Sequence, residues 1–200
     1  MPLIVGVNGL PAGSAVDGVF ANAGIKYARV DIGWDGNLQD GLANLKTLLG
    51  EGFTPLPLYE LSNEGDGNCK GQSPQDMAGD LTNTVLPALK ADGLHWLELC
   101  NESYATEDAT TYADQEDAAH KAVEAFDQAN NYNITLIAVD SPTDSTWIPD
   151  VLTEVAKDES AGSTSQAGAV TVFISPKICS RLSLARIGPA TGRPASLLLM

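Results

Sequence analysis

Leu94-His95-Trp96-Leu97-Glu98-Leu99-Cys100-Asn101-Glu102-Ser103-Tyr104 is the stretch on which the fold turns. Its first six residues have the bulk of a strand, and the run stops abruptly at an Asn–Glu pair. Strand alternation, if no bulge intervenes, sets Leu94, Trp96, Glu98, Cys100 and Glu102 on one face. Carboxylates at the carboxyl end of a strand are where barrel enzymes keep their chemistry. Glu102, with the Asn101 amide beside it, is therefore the candidate general acid/base. The plainer alternative is an Asn–Glu pair that caps the next helix.

The segments on either side alternate between two periods. Ile4 to Asn8 is a short β-branched run ending at Gly9 and Pro11, a strand followed by a turn. Ala15 to Ala23 has helical spacing at Val16, Val19, Phe20 and Ala23. Tyr27 to Trp34 is a second strand, with Ala28, Val30, Ile32 and Trp34 on one face and Tyr27, Arg29 and Asp31 on the other. Leu38, Leu42, Leu45 and Leu49 make a helical stripe closed by Gly50 and Gly52. Phe53 to Tyr59 reads as a third strand despite Pro55 and Pro57.

A polar loop from Ser62 to Ser73 leads to a helix that starts at Pro74, runs through Met77, Leu81, Val85 and Leu89 to Gly93, and is open to bending at Pro87. Beyond the central stretch, Thr111 and Asp114 resemble a capping pair for a helix whose inner side carries Tyr112, Ala119, Val123 and Phe126. His120 lies one step round from that stripe and reads as solvated. Ile134 to Asp140 is a further strand, Trp147 to Lys157 a further helix, and Ala169 to Ile174 a possible sixth strand.

Strands alternating with helices predict parallel strands joined by helical crossovers. The first turn, Asn8-Gly9-Leu10-Pro11-Ala12-Gly13, has neither the dinucleotide glycine spacing nor a phosphate-loop Lys. Strand starts recur at about thirty-odd residues, and eight such units need about 250 residues. The 200 residues present supply between five and six βα units. The predicted fold class is thus α/β, an incomplete (βα)8 barrel of the TIM type.

Composition narrows the partners. Hydrophobic residues make up 44% of the chain, and no apolar run reaches membrane-spanning length. No basic region precedes an apolar one at the amino terminus, so no secretory signal is read there. A formal charge of −15 argues against nucleic acid and anionic membranes as partners. Cys69, Cys100 and Cys179 are odd in number and widely spaced, which gives neither a metal-type pair nor a disulfide framework. Cys100 reads as a small buried hydrophobe.

All 26 acidic residues lie at or before Glu159, and the only charges from Ser160 onward are Lys177, Arg181, Arg186 and Arg193. The expected division is a barrel domain over 1–175 and an irregular basic tail over 176–200 outside it. A basic interaction tail is one reading of that end. A truncated or frame-shifted coding region is the blander one.

Residues 1–175 resemble the clan of retaining glycoside hydrolases, (βα)8 barrels whose acid/base Glu follows strand four and whose nucleophile Glu follows strand seven. Trp96-Leu97-Glu98-Leu99-Cys100-Asn101-Glu102 matches the clan's fourth-strand ending. Tyr27-Ala28-Arg29-Val30-Asp31-Ile32-Gly33-Trp34 is similar to its second strand. The resemblance implies that Glu102 is the acid/base, that Asn101 contacts a sugar 2-hydroxyl, and that Arg29 has a supporting role. Trp34 and Tyr104 are candidates for stacking on sugar rings, with ordinary packing as the alternative. The implied partner is an oligo- or polysaccharide, with no cofactor and no metal.

Retaining cleavage needs two carboxyl groups about 5–5.5 Å apart, one of them an acid whose pKa is raised by its surroundings. Glu98, deeper on the same strand face, would be costly to bury unpaired, and Arg29 is the expected partner. Departures from the clan are equally specific. A seventh strand is absent, so the nucleophile has no candidate, and Phe173 and Ser175 stand where a His-x-Tyr pattern is usual. Asp31, Asp35, Glu60 and Asp140 lie at strand ends, where recruitment to the site is one reading and a loop or cap carboxylate the simpler one. The expected activity is therefore that of a glycosidase-like chain, weak or inactive alone. The alternatives are a non-enzymatic carbohydrate-binding remnant and, further off, a barrel lyase or isomerase.

Overall fold

The computed structural model describes residues 6–8, 17–34, 36–61, 68–100, 108–140 and 171–173. Its strands are β1 (Gly6–Asn8), β2 (Tyr27–Ile32), β3 (Thr54–Tyr59), β4 (Trp96–Leu99), β5 (Thr135–Asp140) and β6 (Thr171–Phe173). Between them lie α1 (Asp17–Asn22), α2 (Leu38–Gly50), α3 (Pro74–Asp80), a π-helical turn (Leu81–Val85), α4 (Leu86–Ala91) and α5 (Ala109–Asn130). The helix expected over Trp147–Lys157 and the tail 176–200 lie outside the described residues.

All described strands pair in parallel, and their order across the sheet is the order along the chain, β1 to β6. A sequential order has no reversal point, unlike a doubly wound sheet. Right-handed crossovers that always step the same way set their helices on one face. The core agrees with this. Ala28, Val30, Ile32, Tyr59, Leu97, Leu99 and Leu136 from the strands pack with Leu45, Leu48, Met77, Leu81, Leu86, Leu89, Tyr112 and Val123 from the helices.

Local chemistry explains most element boundaries. Asn37 caps α2 by accepting from the Gln39 amide, and Gly52 beyond its end takes φ 89°. Within α2, Gly41 lets the helix lie on β2. A Cβ there would stand 2.7 Å from Ile32 Cα and 2.8 Å from the Asp31 carbonyl.

Ser73 caps α3, and Pro74 follows in the first turn, where its missing N–H costs nothing. Pro87 cannot donate to the carbonyl of Asn83, and its ring crowds that oxygen. The helix answers with the π turn just before it, in which the Leu86 amide reaches back to the Leu81 carbonyl.

α5 is capped by Asp108, which accepts from the Thr110 and Thr111 amides at 3.0 Å each. The expected Thr111–Asp114 cap is therefore corrected. Thr111 is already helical and gives its hydroxyl to Asp108 at 2.9 Å.

β3 forms in spite of its prolines because of where their nitrogens point. Thr54 and Glu60 donate to the carbonyls of Lys26 and Ile32, so even-numbered amides of this strand face β2. Pro55 and Pro57 therefore turn their donorless nitrogens toward β4. The β3–β4 ladder begins only beyond them, at Leu58 opposite Glu98.

The cysteine spacing implied no pairing, and the structure supplies one, while Cys100 is buried as expected. Cys69 and Cys100 form a disulfide, with Cα atoms 5.5 Å apart. Cys100 takes φ 53°, and its sulfur joins Cys69 in the helix-side core. The strand alternation that the sequence suggested therefore breaks at Cys100, and the facing of later residues does not follow from it.

Candidate functional site

The face of the sheet opposite the helices carries the charge. In a parallel ladder, register partners share a face, so Asp31, Leu58 and Glu98 line up across β2, β3 and β4. Arg29 is two residues before Asp31 on the same face, and Glu60 two residues after Leu58. Leu58, Glu60 and Ile137 on this side are nearly inaccessible, at 1%, 1% and 2% exposure. Leu58 and Ile137 stand apart from the helix-side core.

Arg29 and Glu98 form the ion pair expected from the sequence. The contact is bidentate, with Nη2 donating to Oε1 at 2.6 Å and Nε to Oε2 at 2.8 Å. Such a fork fixes both side chains in one plane. The pair reaches from β2 over β3 to β4, so it ties together two strands that do not hydrogen-bond to each other.

Glu60 stands one residue past the end of β3, at the strand-end position read from the sequence, and it is buried. Its amide continues the ladder to the Ile32 carbonyl, which carries its side chain onto the charged face. Burial, then the Asp31 carboxylate, push its carboxyl up to about 8, with Arg29 opposing. Burial likewise raises Asp31, while Arg29 and a hydrogen bond from Glu60 hold it down. At neutral pH Glu60 therefore keeps its proton and donates it to Asp31. This is the pattern in which two carboxyls in contact divide into an acid and an acceptor.

The remaining sequence candidates divide by position. Trp34 follows β2 after Gly33, which takes φ 95°, and is 52% exposed. It has left the buried face of Ala28, Val30 and Ile32 and is open to a ligand. Asn101, Glu102 and Tyr104, together with Asp35, lie outside the described residues; so does the side chain of Asp140. The last described residue before Asn101 is Cys100, whose amide donates to the Tyr59 carbonyl at 2.8 Å. Asn101 and Glu102 thus follow directly from a backbone anchored by that bond and the disulfide.

A buried polar network braces the loop that holds Cys69. Gln72 Nε2 donates to the Tyr59 hydroxyl at 2.5 Å and to Asp80 at 2.9 Å. Gln115 Nε2 donates to the carbonyls of Gln72 and Cys69 at 2.9 and 3.2 Å. Burial raises the Tyr59 phenol far above its ordinary range, so it stays neutral as a donor.

A shallow depression between α3 and α5, lined by Pro74, Ala78, Thr82, Ala118, Lys121 and Ala122, lies on the helical side. It holds none of these groups. Among the described residues no cluster of three or more His, Cys, Asp or Glu has the geometry to hold a metal ion. No described helix is long and apolar enough to cross a membrane.

No known protein family, curated protein or solved structure matches this chain. The class that the structure defines is an α/β protein built on a parallel sheet.

Proposed function

We propose that residues 1–175 form the amino-terminal part of a (βα)8 barrel that acts on O-glycosidic bonds of a carbohydrate by a retaining, two-carboxylate mechanism. The observation that carries this reading is the face of carboxyls at the carboxyl-terminal half of β2, β3 and β4, with Arg29 one step behind them on β2 and paired to Glu98. That is the end at which barrel enzymes bind substrate. Sequential parallel order and the burial of Leu58, Glu60 and Ile137 away from the helices support a sheet curled around that face. A flat sheet bare on one side would leave those residues in water.

In this reading Glu102 protonates the leaving oxygen, Asn101 holds the 2-hydroxyl, and Trp34 and Tyr104 offer flat surfaces to sugar rings. Arg29 serves the site through Glu98. No nucleophile is assigned in this chain, and because paired catalytic groups act as a unit, turnover by it alone is expected to be weak.

Hydrolysis of an aryl glycoside tests the reading. Slow release of the phenol that Glu102→Gln abolishes, with sugar binding kept, supports it. Binding without any release favours the carbohydrate-binding remnant instead, which the engagement of Arg29 by Glu98 also favours. Release that persists in Glu102→Gln sinks the assignment of the acid.

A further inference from the structure

We propose that Asp31 and Glu60, at the carboxyl ends of β2 and β3, form a hydroxyl-recognising subsite that takes a neutral polyol through the buried Glu60 carboxyl oxygens, to which no described residue donates. This deepens the carbohydrate reading and rests on it.

Four observations meet here. Glu60 is buried, yet among the described residues no donor reaches either of its carboxyl oxygens. Among the described residues the Asp31 carboxyl acts on it most strongly, ahead of Arg29 and Glu98, and burial raises both carboxyls. One proton between two carboxyls leaves several acceptor positions unmet, and a buried acceptor without a donor is costly to hold.

The nearby guanidinium of Arg29 is turned to Glu98 at 2.6 and 2.8 Å. The described charged groups around the pair are thus Arg29 on β2 and Glu98 on β4. With the ion pair neutral overall and one proton on the carboxyls, the local charge is about one negative unit rather than three. A vicinal diol fits that demand. Each hydroxyl can donate, so two of them can meet carboxyl oxygens that lack a donor while the Glu60 proton stays with Asp31. A divalent cation is a poorer occupant, since these side chains do not have metal geometry.

The position is also right. Glu60 and Asp31 stand at the carboxyl ends of adjacent strands, next to the segment that leads from β2 to the exposed Trp34.

The test uses the full chain with cellobiose, xylobiose, mannobiose and laminaribiose, read by saturation-transfer NMR and calorimetry from pH 6 to 9.5. At least one disaccharide binds at pH 6–7, and its affinity falls tenfold or more as the pH passes 8, where the shared proton is lost. Glu60→Gln keeps an uncharged donor and acceptor; it retains binding within threefold and loses the pH dependence. Glu60→Leu fills the space without oxygens and weakens binding at least tenfold, and Asp31→Asn does the same to a lesser degree, with folding of each checked by circular dichroism.

Binding that Glu60→Leu and Asp31→Asn leave intact overturns the subsite while the carbohydrate reading stands. Affinity that rises with pH overturns it too, since that is how an ammonium ligand competing for the proton would behave. Failure of every disaccharide to bind the wild-type chain overturns the carbohydrate reading itself, and the subsite with it.

Discussion

Glu60 and Glu116 are two glutamates that the fold treats as neutral groups. Burial, with Asp31, pushes Glu60 up to about 8; burial, with Asp117, pushes Glu116 on α5 up to about 7. The ordinary value for either is 4.5. Below pH 4.5 folded and unfolded chains both hold these protons, and the full stabilisation is present. Between 4.5 and about 8 only the folded chain holds them, so stability falls as pH rises and levels off above 8.

Urea midpoints measured at pH 5, 7 and 9 should therefore decrease in that order, by up to a few kcal/mol in stability. In Glu60→Gln with Glu116→Gln the curve should flatten. A wild-type midpoint that climbs from pH 5 to 9 would show that these carboxyls are ionised in the folded chain. The face of Asp31 was legible in the sequence because strand parity is a local property. The role of Glu60 was not, because it needed the register of β3 against β2, which no single segment encodes.

At the scale of elements, the segment from β3 to β4 shows how local punctuation and long-range contacts share the work. Ser73 and Pro74 start α3 where the sequence placed it, and Pro87 shapes its helix through the π turn rather than by ending it. The disulfide is different. It spans 31 residues and fastens the loop before α3 to the end of β4. Closing a loop of that size restricts the unfolded chain by about 3–4 kcal/mol.

Cys69→Ser should cost about that much in a urea titration under oxidising conditions and nothing further when reductant is added. Because Cys100 anchors the backbone ahead of Asn101 and Glu102, the same variant should weaken any aryl-glycoside turnover more than it weakens sugar binding. Equal stability of oxidised and reduced wild type would refute the structural role of the bridge. Three scattered cysteines concealed this pairing, since a disulfide depends on a distance in space that spacing along the chain does not set.

For the whole molecule, the decisive property is the asymmetry of the sheet. One side is sealed by helices; the other buries Leu58, Glu60 and Ile137 at its carboxyl half and leaves Trp96 exposed by 43% at its amino end. Trp34 and Trp96 should both be quenched efficiently by acrylamide, and Trp34→Phe and Trp96→Phe should each remove part of the quenchable emission. A Trp96 shielded from acrylamide would mean that the sheet face opposite the helices is covered at that end, against its 43% exposure.

Period and punctuation in the sequence determined the alternation of strands and helices, the helix-facing residues of β2 and the expected Arg29–Glu98 pair, because alternation and capping act over a few residues. Tertiary structure alone decided the pairing of Asp31 with a protonated Glu60, the turn of Cys100 into the core and the tolerance of Pro55 and Pro57. Each of those depends on which strand lies alongside, and burial, proton sharing and cross-linking exist only once distant segments have been brought together.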